Sequence, residues 1–260
     1  MMGRPPIVIL GAGYTGSRVA QILQAQDYPV TALRSADFDV RNSATWGRLA
    51  TAQTAGARLL HSIPVLRTEA GYQATMPTIA PLLAHDLERV VYLSTTGVYG
   101  DAREVDEYTP VAPRNDRERL RVEEEQAIQV GPWTSLVLRP AAIYGPGRGI
   151  HESMRAGTYR LMGDGSNYVS RIHVDDLAAI TVAALISDFI GAYPVADLKP
   201  CPALEIAEYC AAKFGYAMPP STEALPGDDT RRADRRVDGR AITDLLGVSL
   251  RYSSYREGLS

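Results

Sequence analysis

The chain has 260 residues, of which 45% are hydrophobic and 22% are charged, so it can form one globular unit with a substantial core and a smaller lobe. The formal net charge of −3 and the pI near 5.8 disfavour nucleic acid and anionic membrane surfaces as partners, because both select a basic surface. A small-molecule substrate is the partner that this balance favours.

The spacing of the cysteines and histidines and the N-terminal sequence bear on metal binding and on the cellular compartment. Eight residues separate Cys201 from Cys210, a spacing that fits neither a disulfide framework nor a zinc site. The four histidines are too scattered for a metal cluster, so we expect no metal. The opening MMGRPPIVIL lacks a long apolar export region, and no apolar run approaches the length of a membrane span. These features predict a reduced, cytoplasmic chain, and a homodimer is left open.

Short apolar runs recur along the chain and alternate with segments of helical period. The runs are IVIL, PVTAL, ARLLHSI, RVVYLS, TSLVL and AYPV. Continuous apolar strands that alternate with helices are typical of β-α-β units, in which helices cover both faces of a parallel sheet. The pattern predicts an α/β fold with a Rossmann-type, doubly wound parallel sheet and a small C-terminal substrate lobe.

Two breaks in this alternation predict the domain organisation. Glycine and proline cluster in RPAAIYGPGRG, and after Pro200 the chain becomes polar with spaced prolines. We expect residues 1–145 and about 173–196 to form the dinucleotide-binding domain. Residues from about 146–172 and 197–260 would then form the small substrate-binding lobe.

The segment IVILGAGYTGSRVA predicts a phosphate-binding loop. Gly11, Gly13 and Gly16 follow the first strand and open the first helix, where they allow a tight turn, close approach of a pyrophosphate and close helix packing, respectively. Tyr14 and Thr15 lie in the same loop, and the helix N-terminus favours negative charge. The alternative is a glycine turn that binds no ligand.

The end of the second strand bears on which dinucleotide binds. NAD-binding proteins usually carry an acidic residue there, but this strand ends in Arg34 and Ser35, which suit the 2′-phosphate of NADP. We therefore expect NADP rather than NAD, although Arg34 is also compatible with a simple surface arginine. Asp39, at the end of a short third strand FDV, is placed either to accept from the adenine amino group or to cap a turn.

Three further segments carry a family resemblance. VVYLSTTGVYGD, LRPAAIYGPGR and RIHVDDLA occur in this order along nearly the whole chain, which resembles the extended short-chain dehydrogenase/reductases, the group of nucleotide-sugar epimerases and dehydratases. The resemblance implies that Thr95 is the hydroxyl residue of the catalytic set. It also implies that Pro140 and the loop after the fourth strand, Ser62, Ile63 and Pro64, pass along the cofactor.

The same resemblance implies a tyrosine and a lysine in Y-x-x-x-K on the next helix, but RERLRVEEEQ places Arg117 and Arg121 at those positions. Arginine is effectively never deprotonated, so the usual tyrosine mechanism fails here. One interpretation is a solvated helix face whose arginines pair with Glu118, Glu124 or Glu125. The other is that Arg121 replaces lysine at the nicotinamide ribose and Arg117 faces an anionic substrate or a cofactor phosphate.

Several other side chains are candidates for the site. Tyr99 and Tyr144 follow strands at the edge where ligands bind, as substrate contacts, substitute acids or packing residues. Arg171 is expected to contact substrate, whereas His173 suits the start of a helix. The basic run RRADRRVDGR, residues 231–240, is either a nucleotide-diphosphate site, as in relatives, or a solvated face.

Two functions remain open on these residues. The first is an NAD(P)-dependent oxidoreductase or epimerase/dehydratase-like enzyme with atypical acid–base residues, acting on a small, nucleotide-linked or anionic substrate. The second is a non-catalytic NADP-binding sensor or scaffold. The enzyme is favoured because Thr95 and the second lobe are retained, and a pure sensor needs neither.

Overall fold

The computed structural model describes residues 3–84, 86–223 and 233–259 as a mixed α/β structure. Its strands are β1 (Ile7–Leu10), β2 (Val30–Leu33), β3 (Arg58–His61), β4 (Leu66–Thr68), β5 (Gly71–Gln73), β6 (Arg89–Leu93), β7 (Glu104–Val105), β8 (Thr134–Pro140), β9 (Ala142–Tyr144), β10 (Leu161–Met162), β11 (Tyr168–Val169), β12 (Arg171–His173), β13 (Gly191–Val195), β14 (Cys201–Pro202), β15 (Ser221–Thr222) and β16 (Arg236–Val237). Its helices are α1 (Gly16–Ala25), α2 (Trp46–Ala52), α3 (Met76–Ile79), α4 (Asp116–Gln129), α5 (Ile150–Arg155), α6 (Val174–Ile186), α7 (Ala203–Phe214), α8 (Arg240–Leu246) and α9 (Tyr255–Gly258).

One six-stranded parallel sheet forms the centre, in the order β13-β8-β6-β3-β1-β2. All six strands coincide with the apolar runs of the sequence, so the predicted Rossmann-type fold is confirmed. From β1 the chain proceeds to β2 on one side and then to β3 on the other. The strand order therefore reverses between β1 and β3, which is where open parallel sheets form a ligand-binding crevice.

The inner strands of the sheet are buried on both faces, which explains their continuous apolar runs, whereas Thr31 and Ala32 of the edge strand β2 are exposed. Side chains alternate along β1, so Ile7 and Ile9 face one layer while Val8 and Leu10 face the other. Helices α1, α6 and α8 pack on the first face, whereas α2, α3 and α4 pack on the second. This doubly wound arrangement leaves the carboxyl ends of the strands available for a site.

The predicted short third strand at 38–40 does not form. Phe38 and Val40 are buried among apolar side chains, as a strand would require, but the backbone here turns. The Phe38 N–H donates to the Arg34 carbonyl at 2.9 Å, and the Asn42 N–H donates to the Asp39 carbonyl at 2.9 Å. Local turn bonds thus replace the ladder bonds that a strand beside β2 would make.

A separate apolar cluster lies beyond the sheet. It joins the segment around α5 to α7 and the C-terminal α9, and its buried members are Tyr144, Met154, Leu161, Cys201, Ala203, Ile206, Ala207, Cys210, Tyr255 and Leu259. Both cysteines are free thiols. Helix α8 does not belong to this cluster, although it lies between α7 and α9 in the chain. Its Ile242 packs in the core of the sheet with α6. The two-lobe boundaries remain a prediction, with α8 packed on the sheet side.

Candidate functional site

A cleft of about 1430 Å³ opens at the carboxyl ends of the central strands. It runs from the loop after β1, past the loop after β6, to the start of α5 and to β12. Most of the residues predicted for the site line it: Gly11, Gly13, Tyr14, Thr15, Arg34, Ser35, Asp39, Ser62, Ile63, Pro64, Thr95, Arg117, Arg121, Pro140, Tyr144 and Arg171. Gly16 and Tyr99 are not in the cleft lining.

The glycine loop has the shape of a pyrophosphate cradle. Gly11 has φ +86°, and a Cβ there would lie 2.9 Å from the Ser62 carbonyl carbon. A Cβ on Gly16 would lie 2.5 Å from the Gly11 carbonyl oxygen, which explains the close packing of α1 on the loop. A Cβ on Gly13 would meet only the Gly11 oxygen, at 4.0 Å, so the space beside Gly13 is open. That open space in the cleft fits the close approach of a dinucleotide.

At the end of β2, Arg34 is exposed to the cleft and its guanidinium has no ion pair within the described ranges. Ser35 lies beside it and is also exposed. Asp39 binds Arg41 through two hydrogen bonds of 3.0 and 2.8 Å and accepts from the Arg41 N–H at 2.9 Å, which is the turn-capping arrangement. Hydrogen bonds from Arg41 lower the pKa of Asp39 below its ordinary value. The free guanidinium of Arg34 is the feature that suits a 2′-phosphate.

The interpretation of α4 as a solvated face is wrong for its inward residues. Glu118, Arg121, Glu124 and Glu125 are buried, and Asn115 caps the helix by accepting from the Glu118 N–H at 3.0 Å. The sequence did not reveal that this face is buried, because seven of the ten residues in RERLRVEEEQ are charged and no apolar stripe marks the face. Burial of charge requires bonded partners, and the strands beneath the helix supply them.

Arg121 belongs to a buried network. Its Nη1 donates to the Tyr92 hydroxyl at 2.7 Å, and that hydroxyl donates to Glu124 Oε2 at 2.6 Å. Glu124 Oε1 accepts from both the N–H and the hydroxyl of Thr75, the latter at 2.7 Å, and His61 Nε2 lies 3.1 Å from the same hydroxyl. Burial lowers the pKa of His61 to about 4, so the ring is neutral near pH 7. The network holds Arg121 in the cleft wall.

Tyr99 and Glu125 form a second buried group. Arg139 on β8 donates to Glu125 Oε2 at 2.6 Å through Nη2 and to the Tyr99 hydroxyl at 3.1 Å through Nη1. Ser94 also donates to Glu125. Tyr99 is fully buried, and its hydroxyl faces Arg139 rather than the cleft. Tyr99 was expected to contact substrate because it follows a strand at the ligand-binding edge. Its side chain lies in the core instead, because the chain turns inward through the 3₁₀ segment Thr96–Tyr99.

Thr95 begins that 3₁₀ segment. Its hydroxyl accepts from the Gly97 N–H at 3.1 Å and lies in the cleft lining. Tyr144 also reaches the lining, and its hydroxyl donates to the Ser254 carbonyl at 3.2 Å. Burial raises the pKa of Tyr144 well above its ordinary value, and the same holds for Tyr92. Neither phenol resembles the low-pKa tyrosine of the usual mechanism.

Arg171 and His173 occupy β12. The Arg171 Nη1 donates to the Val169 carbonyl at 2.8 Å and to Cys201 Sγ at 3.1 Å, which directs the side chain towards β14. His173 caps α6, since its Nδ1 accepts from the Asp175 N–H at 3.2 Å. Arg171 is thus in the lining, and His173 has the structural place expected for it.

Two polar residues of the lining, Arg235 and His151, are notable among those that the sequence motifs did not single out. Arg235 donates to the carbonyls of Thr96, Gly100 and Ala102 and so ties the C-terminal segment to the loop that follows Thr95. His151, at the start of α5, has a pKa lowered by burial, and its Nδ1 has no hydrogen-bond partner. Arg235 was included only in a basic run, and no motif marked His151. Residues 231 and 232 of that run lie outside the described residues.

The parallel sheet, the glycine cradle and the cleft at the strand ends define a Rossmann-type α/β protein. The chain belongs to the NAD dependent epimerase/dehydratase family, whose profile matches residues 7–192. The family expected from the sequence motifs is therefore confirmed. None of the helices in the described part of the chain combines the length and apolar character needed to cross a bilayer.

Individual proteins also resemble this chain in sequence. Protein YeeZ of Escherichia coli K12 is 30% identical over 200 residues, which cover 68% of this chain and 72% of that protein. A 3-diazoavenalumate denitrifying reductase of Streptomyces is 34% identical over 110 residues, covering 40% of this chain and 36% of the reductase.

Two solved structures share the fold over 98% of this chain. Thermus thermophilus UDP-glucose 4-epimerase in complex with NAD has a TM-score of 0.74 at 18% identity and is covered over 96% of its length. A human epimerase family protein with NADPH has a TM-score of 0.79 at 19% identity and is covered over 97%. Neighbours of this fold thus bind either NAD or NADPH.

Proposed function

We propose that this protein is an NAD(P)-dependent oxidoreductase or epimerase/dehydratase-like enzyme that uses NADP and acts on a small, nucleotide-linked or anionic substrate. The observation that carries the proposal is the continuity of the cleft. One cavity joins the open space at Gly13 to the Thr95 hydroxyl and then to Arg171 on β12. A protein that only binds a dinucleotide needs the first part and not the rest.

Each group has a role that its position supports. The open space beside Gly13 at the N-terminus of α1 suits a pyrophosphate, and Arg34 suits the 2′-phosphate. The Thr95 hydroxyl suits the reacting oxygen of a substrate. When bound, the nicotinamide ring supplies the hydride donor or acceptor. The chain supplies position, charge and exclusion of water.

Proton exchange requires a group other than arginine. His151 is the one histidine of the described ranges in the cleft lining, and histidine is the side chain that titrates near neutral pH. Because burial lowers its pKa, it is neutral at pH 7 and suited to accept a proton. We assign this role to His151. A His151→Gln variant should abolish the acidic limb of the rate profile for substrate oxidation, and an unchanged limb would remove His151 from the mechanism.

The alternative is a non-catalytic NADP sensor, favoured by the arginines at the Y-x-x-x-K positions. The named reductase activity of the Streptomyces relative supports hydride chemistry instead. The two functions separate in one assay series. NADPH binding is first measured by fluorescence titration, and oxidation of NADPH is then followed with a panel of carbonyl compounds that carry carboxylate, phosphate or nucleotide groups.

The matched variants for that assay are Thr95→Val, which removes the hydroxyl in the cleft, and Thr51→Val, which removes an exposed hydroxyl on α2. An enzyme requires turnover that Thr95→Val lowers about 100-fold and that Thr51→Val leaves intact, because an orienting hydroxyl contributes about 2 to 3 kcal/mol in a transition state. Tight NADPH binding with no turnover across the panel would establish the sensor instead.

A further inference from the structure

Arg117 and Arg121 lie one helical turn apart on α4, and both line the cleft. Side chains at positions i and i+4 share one face of a helix, so these two guanidinium groups repel each other. Arg121 is only 6% exposed, and a buried charge is costly unless a partner of opposite charge lies beside it. Carboxylates on the protein side of the cleft are the partners that such a pair requires.

Helix α4 itself carries buried carboxylates, but each is engaged elsewhere. Glu118 pairs with Arg114 at 2.9 Å, and Glu125 pairs with Arg139 at 2.6 Å. Glu124 accepts from Thr75, Met76 and Tyr92, and the Tyr92 hydroxyl lies between Glu124 and Arg121. No ion pair in the described part of the chain joins any of them to either cleft arginine.

The two arginines consequently keep unused donors. Arg121 donates one Nη1 hydrogen bond to the neutral Tyr92 hydroxyl, and its Nε is buried with no hydrogen-bond partner. Arg117 is half-buried, and nothing within residues 3–84, 86–223 and 233–259 pairs with its guanidinium. Glu124 offsets the charge of Arg121 only through the shared Tyr92 hydroxyl, and Arg117 has no counter-charge among the described residues, so the pair presents positive charge to the cleft.

We propose that Arg117 and Arg121 form an oxyanion-binding pair that holds a carboxylate or phosphate group of the substrate, an inference that rests on the proposed function. Two planar guanidinium groups offer paired N–H donors that match the two oxygens of such a group. The anion would offset the repulsion between the arginines. Because guanidinium stays protonated, the pair binds and neutralises charge and does not transfer a proton.

The test uses the full chain loaded with NADPH and three small probes: malonate, inorganic phosphate and the neutral malonamide. Calorimetric titration should show binding of an anion and no binding of malonamide. Arg117→Gln should lower the affinity for the anion about 10- to 100-fold, the range expected for lost charge-assisted hydrogen bonds. Arg119→Gln is the matched control, because Arg119 is exposed on the same helix and pairs with Asp116.

Tighter binding of malonate points to a carboxylate substrate, and tighter binding of phosphate points to a phosphorylated one. The affinity should stay constant between about pH 7 and pH 9 for malonate, since the pair does not titrate there. Equal affinity for malonamide, or equal affinity in Arg117→Gln and Arg119→Gln, would overturn the oxyanion pair.

NADPH titration of the same variants keeps the two proposals separate. Anion binding by a chain that does not bind NADPH would overturn the proposed function and leave the pair standing. Normal NADPH binding without anion binding would overturn the pair alone. Arg117→Gln decides the question without any change to the buried Arg121, because Arg117 is half-buried and contributes little to the core.

Discussion

The Tyr92 hydroxyl links Arg121 to Glu124: it accepts from the arginine at 2.7 Å and donates to the carboxylate at 2.6 Å. The phenol lies on β6 and both charged residues lie on α4, so strand and helix are joined through one oxygen. The charge of Glu124, which is 1% exposed, is thereby connected to a cleft residue.

Glu124→Ala should lower the free energy of unfolding by about 3 to 5 kcal/mol, because it leaves the Thr75 donors and the Tyr92 hydroxyl buried without their acceptor. Urea unfolding measures the loss. Glu123→Ala is the control, since Glu123 is exposed on the same helix and its loss should stay within about 0.5 kcal/mol. Similar losses for the two variants would contradict the buried network.

Stability should fall as the pH drops from about 6.5 to about 4. His61 has a folded pKa of about 4, below its ordinary value of 6.5, so the unfolded chain binds more protons across this window. The stability that a neutral His61 contributes is complete above pH 6.5, and its loss reaches at most about 3 kcal/mol. Unfolding of His61→Gln and wild type at several pH values isolates this group, and parallel pH curves would contradict it.

Gly13→Ala should bind NADPH at least about tenfold more weakly while unfolding at the same temperature as the wild type. Its Cβ would enter open cleft space and clash with no protein atom. Gly16→Ala is the matched contrast, because its Cβ would lie 2.5 Å from the Gly11 carbonyl and should lower the unfolding temperature. Normal NADPH affinity in Gly13→Ala would mean that the glycine loop is only a turn.

Arg34→Ala should reduce NADPH affinity about tenfold or more and leave NADH affinity unchanged, because only NADPH carries a 2′-phosphate for the guanidinium. Parallel titrations of both cofactors measure the difference. Arg48→Ala is the control, since Arg48 is an exposed arginine that pairs with Asp37 outside the cleft lining. Wild-type protein with equal affinity for both cofactors would refute the preference for NADP.

Arg235→Ala should speed amide hydrogen exchange in residues 96–102, because the guanidinium holds three carbonyls of that loop. Mass spectrometry of peptides from the loop reports the change. Arg236→Ala provides the comparison, since Arg236 is adjacent in sequence but bonds the exposed Glu104. Unchanged exchange in Arg235→Ala would show that the loop is held by other contacts.

Local sequence patterns were sufficient to predict the central sheet and the glycine loop. The six apolar runs became the six strands, and the runs of the inner strands are nearly continuous because burial on both faces favours apolar residues at successive positions. The glycines at 11, 13 and 16 follow from backbone geometry that the neighbouring strand and helix dictate. Both signals lie within a few consecutive residues, so the sequence alone determined them.

The roles of the charged residues depended on contacts between distant parts of the chain. RERLRVEEEQ has the same composition whether its face is solvated or buried, and only Tyr92, Thr75 and Arg139 show that Glu124 and Glu125 face inward. The segment with Phe38 and Val40 likewise has the pattern of a strand, but its backbone forms turn hydrogen bonds instead. The energy of a buried charge depends on its partners and its solvent exposure, and both are properties that only the tertiary structure decides.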